Sequence, residues 1–206
     1  MAKYTGPKGK LVRRFGSNII ESQKMQQLLA RRSEPPGQHG GSQQRRKVSE
    51  YGQQLLEKQK LRNSYGLLEK QFRRTFHRAR VQKGVTGDNL LILLESRLDN
   101  VVYRAGFSTT RMQARQWINH GHLRVNGHRV NIPSFQVRTG DLISVRNNPC
   151  SLRLVGSFLD AGGQAAACRW LQVDRENLSI RVEHLPLREE IRTEVNENLI
   201  VELYSK

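Results

Sequence analysis

The sequence predicts an α+β fold, in which mostly helical segments and an extended basic N-terminal arm accompany a small antiparallel sheet. Three observations support this prediction. Residues 1–47 are rich in glycine and cations and show little apolar periodicity, residues 49–106 have apolar side chains at helical spacing, and Asn126–Gly127 separates two short apolar segments. The 206 residues can bury a hydrophobic core and suggest one or two domains.

The arm, residues 1–47, is predicted to be extended because glycine and proline interrupt it repeatedly. Only residues 19–29 have the apolar spacing of a short helix. The rest of the arm cannot bury a core by itself, so we expect it to become ordered on a partner.

Two helices are predicted after the arm. Ser49 has the side chain of an N-cap for the first helix, on which Lys58 and Arg62 form an exposed pair, and Gly66 interrupts the pattern. The second helix has one apolar face, formed by Leu68, Phe72, Phe76 and Ala79. Its opposite face carries five cations: Lys70, Arg73, Arg74, Arg78 and Arg80.

Residues 88–148 are predicted to form two helices followed by a small antiparallel sheet. Asp88 caps a helix whose apolar stripe runs from Leu90 to Val102 and which ends at Gly106. Residues 110–113 have the Thr-x-x-Gln spacing of a capping box, which predicts a short second helix. The sheet is predicted from the hairpin at residues 123–132 and from the strand that follows at residues 142–146.

The remaining chain is predicted to contain a helix up to Asp160, a flexible stretch at residues 161–167, and two strands at residues 171–173 and 178–182. At the C-terminus, apolar residues recur every four positions: Ile191, Val195, Leu199 and Leu203. This spacing favours a terminal helix, although residues 199–204 alone are also compatible with a strand.

The charge of the chain predicts a polyanionic partner. Lys and Arg number 35 against 18 Asp and Glu, which gives a net charge of +17. Residues 1–83 hold 20 basic and 5 acidic side chains, whereas residues 151–206 hold 7 basic and 9 acidic ones. Of the cations 25 are Arg, whose guanidinium forms forked contacts with phosphates and base edges. We therefore predict a nucleic-acid partner rather than a membrane surface.

Several classes of protein are excluded or disfavoured by the sequence. The longest apolar run has five residues, Leu90–Leu94, which is far below the roughly 20 needed to span a membrane. The N-terminus has no apolar segment of a secretory signal, and glycine and proline at residues 6–9 disfavour a transit helix, so a cytoplasmic location is predicted.

The chain is also predicted to have no catalytic, cofactor or metal site. The two cysteines, Cys150 and Cys168, are too few for a disulfide scaffold or a four-ligand zinc site. No nucleotide-binding glycine motif, hydrolase serine motif or metalloprotease motif occurs. Four acidic residues could suggest an acid–base pair, but capping, turn formation and pairing with Arg97 or Arg104 explain them more simply: Asp88, Glu95, Asp99 and Asp141.

A group of basic and polar residues lies in the predicted helix–helix–hairpin segment. Arg111 and Arg115 are one helical turn apart, so they share a face and we expect both to be exposed. Such a ridge could contact phosphates and 2′-hydroxyls of structured RNA. His120 and His122 flank a helix C-terminus, where positive charge is favoured. Solubilising surface charge is the alternative interpretation.

The same segment resembles the S-four RNA-binding motif, in Arg97–Leu98–Asp99, Arg104, Thr110–Gln116 and His122 with Val125–Asn126–Gly127. More specific motifs lie outside it, and the match weakens at residues 15–34 and 147–190. These flanking motifs are Gly6–Pro7, Arg13–Arg14, Pro36–Gly40, Tyr51–Gly52, Glu57–Lys60, Tyr65–Gly66 and Asn196–Lys206. From end to end, the chain resembles the S-four family of bacterial small-subunit ribosomal proteins.

The resemblance implies an RNA-binding module at residues 88–184, inserted into a helical domain formed by residues 48–87 and 185–206. It implies binding to a multi-helix junction in the 5′ domain of small-subunit rRNA early in assembly, on the cytoplasmic ribosome. Implied neighbours are ribosomal protein S-five, at an interface linked to decoding accuracy, other small-subunit proteins, and mRNA near its entry channel. Some members also repress their own operon. Many relatives bind zinc through cysteines in the arm, but this arm contains none, so no metal is expected.

Residues and resemblance together predict an RNA-binding set. It consists of Lys3, Lys8, Lys10, Arg13, Arg14, Arg45, Arg46, Lys47, Tyr51, Lys58, Lys60, Arg62, Tyr65, Arg73, Arg74, Arg97, Arg104, Thr110, Arg111, Gln113, Arg115, Gln116, His120, His122 and Asn126. For the two tyrosines, core packing is an equal alternative to stacking on bases.

Two rival functions use the same module. A pseudouridine synthase would need a further catalytic domain, but only about 60 residues follow the helix–helix–sheet segment at residues 88–148. A heat-shock RNA chaperone would not need the long arm or this C-terminal tail.

Overall fold

The computed structural model describes residues 4–38, 40, 48–160, 168–191 and 193–205. The chain divides into two compact units: residues 1–90 with 193–206, and residues 91–192. The domain limits predicted after residues 47, 87 and 184 rest on sequence patterns and stay predictions. The α+β prediction is confirmed, since helices and one antiparallel sheet make up the described structure. No helix among the described residues has the length and hydropathy needed to cross a membrane.

The first unit begins with two short helices, α1 (Lys8–Phe15) and α2 (Gln23–Arg31), where the sequence predicts an extended arm with one helix at residues 19–29. The prediction is wrong for α1, because the glycine and proline at its start do not break the helix. Pro7 precedes the first turn, where its missing N–H costs nothing. Gly9 lies where a Cβ would meet the Leu28 side chain at 3.1 Å, so it allows α1 and α2 to pack closely.

Helices α3 (Glu50–Ser64) and α4 (Glu69–Val81) follow as predicted. The Ser49 hydroxyl accepts a hydrogen bond from the Gly52 amide, which confirms the N-cap. Lys58 was predicted to be exposed, but it is only 7% exposed. Its ammonium lies 2.9 Å from a Glu69 carboxylate oxygen, since a buried charge needs an opposite charge beside it.

The C-terminal segment forms helix α9 (Glu197–Ser205), which confirms the helix over the strand. It begins after Ile191 and Val195, so only the second half of the predicted apolar repeat is helical. Helix α9 packs against α3. Ile200 is buried, and the Tyr204 ring stacks on Phe76 with 4.5 Å between ring centroids. The apolar face predicted for α4 is therefore covered in part by the C-terminus.

The predicted long helix after residue 88 is two helices, α5 (Thr86–Glu95) and α6 (Leu98–Arg104). The break arises because a neighbouring loop takes the backbone groups between them. The Ser96 carbonyl accepts from the Val137 amide at 2.9 Å, and the Leu98 amide donates to the Phe135 carbonyl at 2.8 Å. These long-range bonds are not visible in local periodicity.

Helix α7 (Arg111–Asn119) begins where predicted, because the Thr110 hydroxyl accepts from the Gln113 amide at 3.2 Å. The rest of the second unit consists of β1 (Leu123–Val125), β2 (His128–Arg129), β3 (Leu142–Val145), α8 (Pro149–Asp160), β4 (Leu171–Asp174), β5 (Ser179–Val182) and a 3-10 turn at Arg188–Glu190. The predicted flexible stretch at residues 161–167 lies outside the described residues.

The five strands form one antiparallel sheet in the order β2-β1-β3-β5-β4. Its inner face packs on α6 and α7 through a core that includes Val125, Ile143 and Ile180. The hairpin turn at Asn126–Gly127 is confirmed, with positive φ at both residues. Strand β2 is shorter than predicted and ends before Val130.

Candidate nucleic-acid interface

The arginines predicted to form an exposed ridge on α6 and α7 belong to a buried ion-pair network. Two nitrogens of Arg97 donate to the two carboxylate oxygens of Asp99, at 3.1 and 2.9 Å. Arg115 Nε donates to the same carboxylate at 2.6 Å. Asp99 is therefore shared between two guanidinium groups, one before α6 and one on α7.

The second half of this network is centred on Glu95. Arg104 donates to both of its carboxylate oxygens, at 3.1 and 2.9 Å, and the Asn100 amide donates to the same group. Arg111 Nε donates to the Asn100 side-chain oxygen at 2.7 Å, and its guanidinium carbon lies 4.5 Å from the centroid of the Tyr103 ring. The predicted pairing of Glu95 and Asp99 with these arginines is thereby confirmed.

The expectation that Arg111 and Arg115 are both exposed is wrong. Arg111 is 7% exposed, and the Arg115 side chain is mostly covered. The physical reason is that α6 presents Asp99 and Asn100 to α7, and buried charges of opposite sign must face each other. Contact of these arginines with RNA stays a prediction, and it would have to use the guanidinium edges that the network leaves.

Other predicted residues of this unit differ in their surroundings. Gln116, His120 and Asn126 are exposed. Gln113 is engaged at the N-terminus of α7, where its side-chain oxygen accepts from the Thr109 amide at 2.9 Å. Asn126 also holds its own turn, because its side chain donates to Asp141 at 2.8 Å.

His122 does not have the environment that the helix C-terminus was expected to provide. Its Nδ1 lies 2.9 Å from the Ser151 hydroxyl. Burial lowers the pKa of His122, and the nearby positive charges of His120 and Arg146 lower it further. The neutral imidazole is therefore favoured, contrary to the sequence expectation.

The structure also brings together three arginines that the sequence analysis missed. Arg124 on β1 is directly opposite Arg129 on β2, and Arg146 follows β3, with its amide 2.7 Å from the His122 carbonyl. Leu123 and Val125 point into the core, so the intervening Arg124 is on the outer face. This alternation was a signal that could have identified Arg124 from the sequence.

In the first unit, the basic face of α4 is exposed as predicted. Its five cations lie opposite buried Phe72, Phe76 and Ala79: Lys70, Arg73, Arg74, Arg78 and Arg80. Among the described residues, no carboxylate lies within ion-pair distance of any of the five. An unneutralised row of guanidinium groups on a rigid helix is suited to binding phosphates.

A polar cluster beneath this face holds α4 to α3 and α9. The Tyr204 hydroxyl donates to Glu69 at 2.9 Å, and Arg62 lies 3.5 Å from the other Glu69 oxygen. Burial by itself would raise the pKa of Glu69, but hydrogen bonds from Lys58 and Tyr204 and the charges of Lys58 and Arg62 lower it overall. Burial and the Glu69 carboxylate raise the pKa of the Tyr204 hydroxyl, which therefore stays a hydrogen-bond donor.

Some of the arm residues predicted to bind RNA are exposed to solvent, and others form hydrogen bonds within the protein. Lys10 and Arg14 are exposed on α1, and Lys8 is half-buried. Arg13 instead donates to the Glu34 and Pro35 carbonyls, at 2.8 and 3.2 Å. Four further predicted residues lie outside the described part of the chain: Lys3, Arg45, Arg46 and Lys47.

The remaining predicted residues lie on or near α3. Lys60 is half-buried and donates to the Glu194 carbonyl at 3.0 Å. Tyr51 is 60% exposed and open to stacking, whereas Tyr65 is 2% exposed and packs in the core. For Tyr65, the alternative of core packing is therefore correct, because its ring has no face available to a base.

No group of three or more His, Cys, Asp or Glu side chains within the described ranges is arranged to hold a metal ion. The described part of the candidate interface includes cations, polar groups and the exposed Tyr51 ring. Its best-defined parts are the α4 face and the outer arginines of the sheet.

Comparison with known proteins identifies the family to which the chain belongs. The family described as "Ribosomal protein S4/S9 N-terminal domain" matches residues 3–95, and the family described as "S4 domain" matches residues 96–143. Proteins named "Small ribosomal subunit protein uS4" are similar along the full length of both chains: 52% identical in Roseiflexus castenholzii, 50% in Chloroflexus aurantiacus and 50% in Opitutus terrae. With such identity over its whole length, the chain belongs to the uS4 family of small ribosomal subunit proteins.

Proposed function

We propose that the chain is a structural, non-enzymatic rRNA-binding protein of the small subunit of the cytoplasmic ribosome. The observation that carries the proposal is the face of α4, where five exposed cations have no carboxylate partner among the described residues. The names of the full-length relatives support the ribosomal assignment.

The finer function follows from the family resemblance. The chain would bind a multi-helix junction of the 5′ domain of the rRNA and nucleate assembly of the subunit. It would contribute to translational accuracy through contact with ribosomal protein S-five, and it would also neighbour other small-subunit proteins and mRNA near the entry channel. Like some members of the family, the chain would also repress its own operon.

The physical basis of binding is release of counterions from the rRNA. Each phosphate neutralised by a cation contributes a slope of roughly −0.7 to −0.9 to the plot of log K against log salt. The α4 face can supply several such contacts on one rigid surface, because its apolar side is held by the core and by Tyr204.

The test is binding of the full chain to a 5′-domain rRNA fragment, titrated with salt. We expect Arg74→Gln plus Arg78→Gln to weaken binding about tenfold and to make the salt slope shallower by roughly 0.7–0.9 for each phosphate that is no longer neutralised. The matched control is Arg153→Gln plus Arg169→Gln, which removes the same charge from positions in the other unit.

Equal loss of affinity in both variants would show that only net charge matters and would contradict a defined interface on α4. Wild-type affinity no higher than for unrelated RNA would contradict specific rRNA binding. Co-sedimentation with small subunits at high salt separates this function from a module-bearing RNA-modifying enzyme or a free RNA chaperone, neither of which would remain bound.

A further inference from the structure

The outer face of the sheet carries a cluster of arginines, Arg124, Arg129 and Arg146, that nothing in the described part of the surrounding protein neutralises. The β1–β2 register places Arg124 directly across from Arg129, and on its other side Arg124 faces the uncharged Ser144 of β3. Like charges that are directly opposite in a sheet destabilise it. The fold therefore maintains an unfavourable arrangement that a bound anion would relieve.

Two carboxylates on or beside the strands of this sheet are engaged elsewhere. Asp141 accepts from the Asn126 side chain at 2.8 Å and from the Arg138 amide at 2.7 Å. Asp174, on the far strand β4, accepts from the amides of Glu176 and Asn177 at 3.0 Å. Within the described ranges, the three arginines have no hydrogen-bond or ion-pair partner for their side chains.

The position of Arg129 is set by a glycine. A Cβ at Gly121 would clash with Arg129 Nε and would lie 2.7 Å from Cζ, so the guanidinium passes directly over this residue. Gly121 has a φ of +73°, which also favours glycine. The side chain is thus held against the end of α7 by packing, without a carboxylate, and this leaves its charge available.

His122 lies at the edge of this arginine cluster, beside Arg146. His122 precedes β1 and Arg146 follows β3, and the Arg146 amide donates a hydrogen bond to the His122 carbonyl. Burial, together with the charges of His120 and Arg146, lowers the pKa of His122, as expected beside uncompensated cations. Neighbouring strands are about 4.8 Å apart, so the three arginines span roughly 10 Å across β2, β1 and β3.

We propose that Arg124, Arg129 and Arg146 form a phosphate-binding surface through which the second unit contacts the RNA backbone. This inference rests on the proposed function, since it takes RNA as the polyanion. It places the module's main phosphate contacts on the strand face, because the guanidinium groups of α6 and α7 are engaged with Asp99 and Glu95.

The test compares full-length Arg124→Gln plus Arg129→Gln with wild type, using the 5′-domain rRNA fragment and urea unfolding. We expect about tenfold weaker binding, with a salt slope shallower by roughly one to two. We also expect stability equal to or higher than wild type, because the opposed charges are removed. The matched control is Arg153→Gln plus Arg169→Gln, which removes two exposed arginines of the same unit that lie outside the strands.

The outcomes distinguish this inference from the proposed function. If wild type binds the rRNA and the α4 variant binds weakly while the sheet variant binds normally, the inference is overturned and the proposed function stands. A sheet variant that unfolds more easily and loses binding only in proportion would show a structural role and also overturn the inference. Weaker binding at retained stability, absent from the control, supports it.

Discussion

The arginines of the α6–α7 network and those on the α4 face show that the same residue type can serve opposite purposes in one chain. Around α6 and α7, each arginine has a buried acid or amide within hydrogen-bond distance. On α4, the cations have none among the described residues. The difference teaches that the surrounding carboxylates, rather than the density of arginine, separate internal ion pairs from a surface able to bind an external anion.

The largest expected effect is on the internal side of this comparison. Asp99→Ala leaves Arg97 and Arg115 buried without their shared carboxylate, so we expect a loss of about 3–5 kcal/mol in the free energy of unfolding. Urea unfolding measures it. Arg74→Ala on the α4 face is expected to change stability by less than about 0.5 kcal/mol. Similar losses of unfolding free energy in the two variants would contradict the distinction between internal ion pairs and an exposed cationic face.

Arg111→Ala tests whether this arginine serves the core or the RNA. It removes the donor to Asn100 and the contact with the Tyr103 ring, so we expect a loss of about 1–3 kcal/mol of stability. Affinity for rRNA, measured at a temperature where the variant is folded, should stay near that of wild type. Weaker binding at full stability would instead support the prediction from the sequence that Arg111 contacts RNA.

Tyr204→Phe examines the support beneath the α4 face. Loss of the hydrogen bond to the partly exposed Glu69 is expected to cost about 1 kcal/mol in thermal or urea unfolding. The pKa of Glu69 should rise, since Tyr204 helps to lower it. A carboxyl group whose pKa is lowered by folding stabilises the fold at pH values above its pKa in the unfolded chain. This contribution is lost as the pH falls through its pKa in the folded protein. The variant should therefore show a weaker dependence of stability on pH in the acid range.

The smallest expected effect concerns His122, at the edge of the sheet cluster. Because its pKa is lowered in the fold, the unfolded chain binds the proton more readily, so stability should decline as pH falls below the ordinary histidine pKa of 6.5. His122→Gln should flatten this decline between about pH 7.5 and 5.5, measured by unfolding at each pH. An unchanged slope would mean that the fold does not lower the pKa of His122.

Features encoded by residues close in the chain were predicted well. The Ser49 and Thr110 caps, the Asn126–Gly127 turn and the apolar face of α4 depend on side chains within one or two turns of each other, and all are present. The cationic face of α4 was predicted from the same periodicity, because it lies opposite the apolar face. These predictions succeeded because the deciding interactions are local.

Features decided by distant partners were missed. Helix α1 forms because it packs on α2, and the stripe after residue 88 breaks because residues 135–137 take its backbone bonds. Lys58 was expected to be exposed, but Glu69 at the start of the next helix and Tyr204 from the C-terminus make its burial possible. None of these partners can be identified from spacing within a single helix.

By itself, the sequence determined the α+β class, the class of the partner through its net charge of +17, and the family through motifs distributed along the whole chain. Only the tertiary structure decided which cations are available to that partner. The net charge reports how many cations the chain has, but not which of them are exposed. A guanidinium is buried only where folding places a carboxylate or an amide oxygen within hydrogen-bond distance of it.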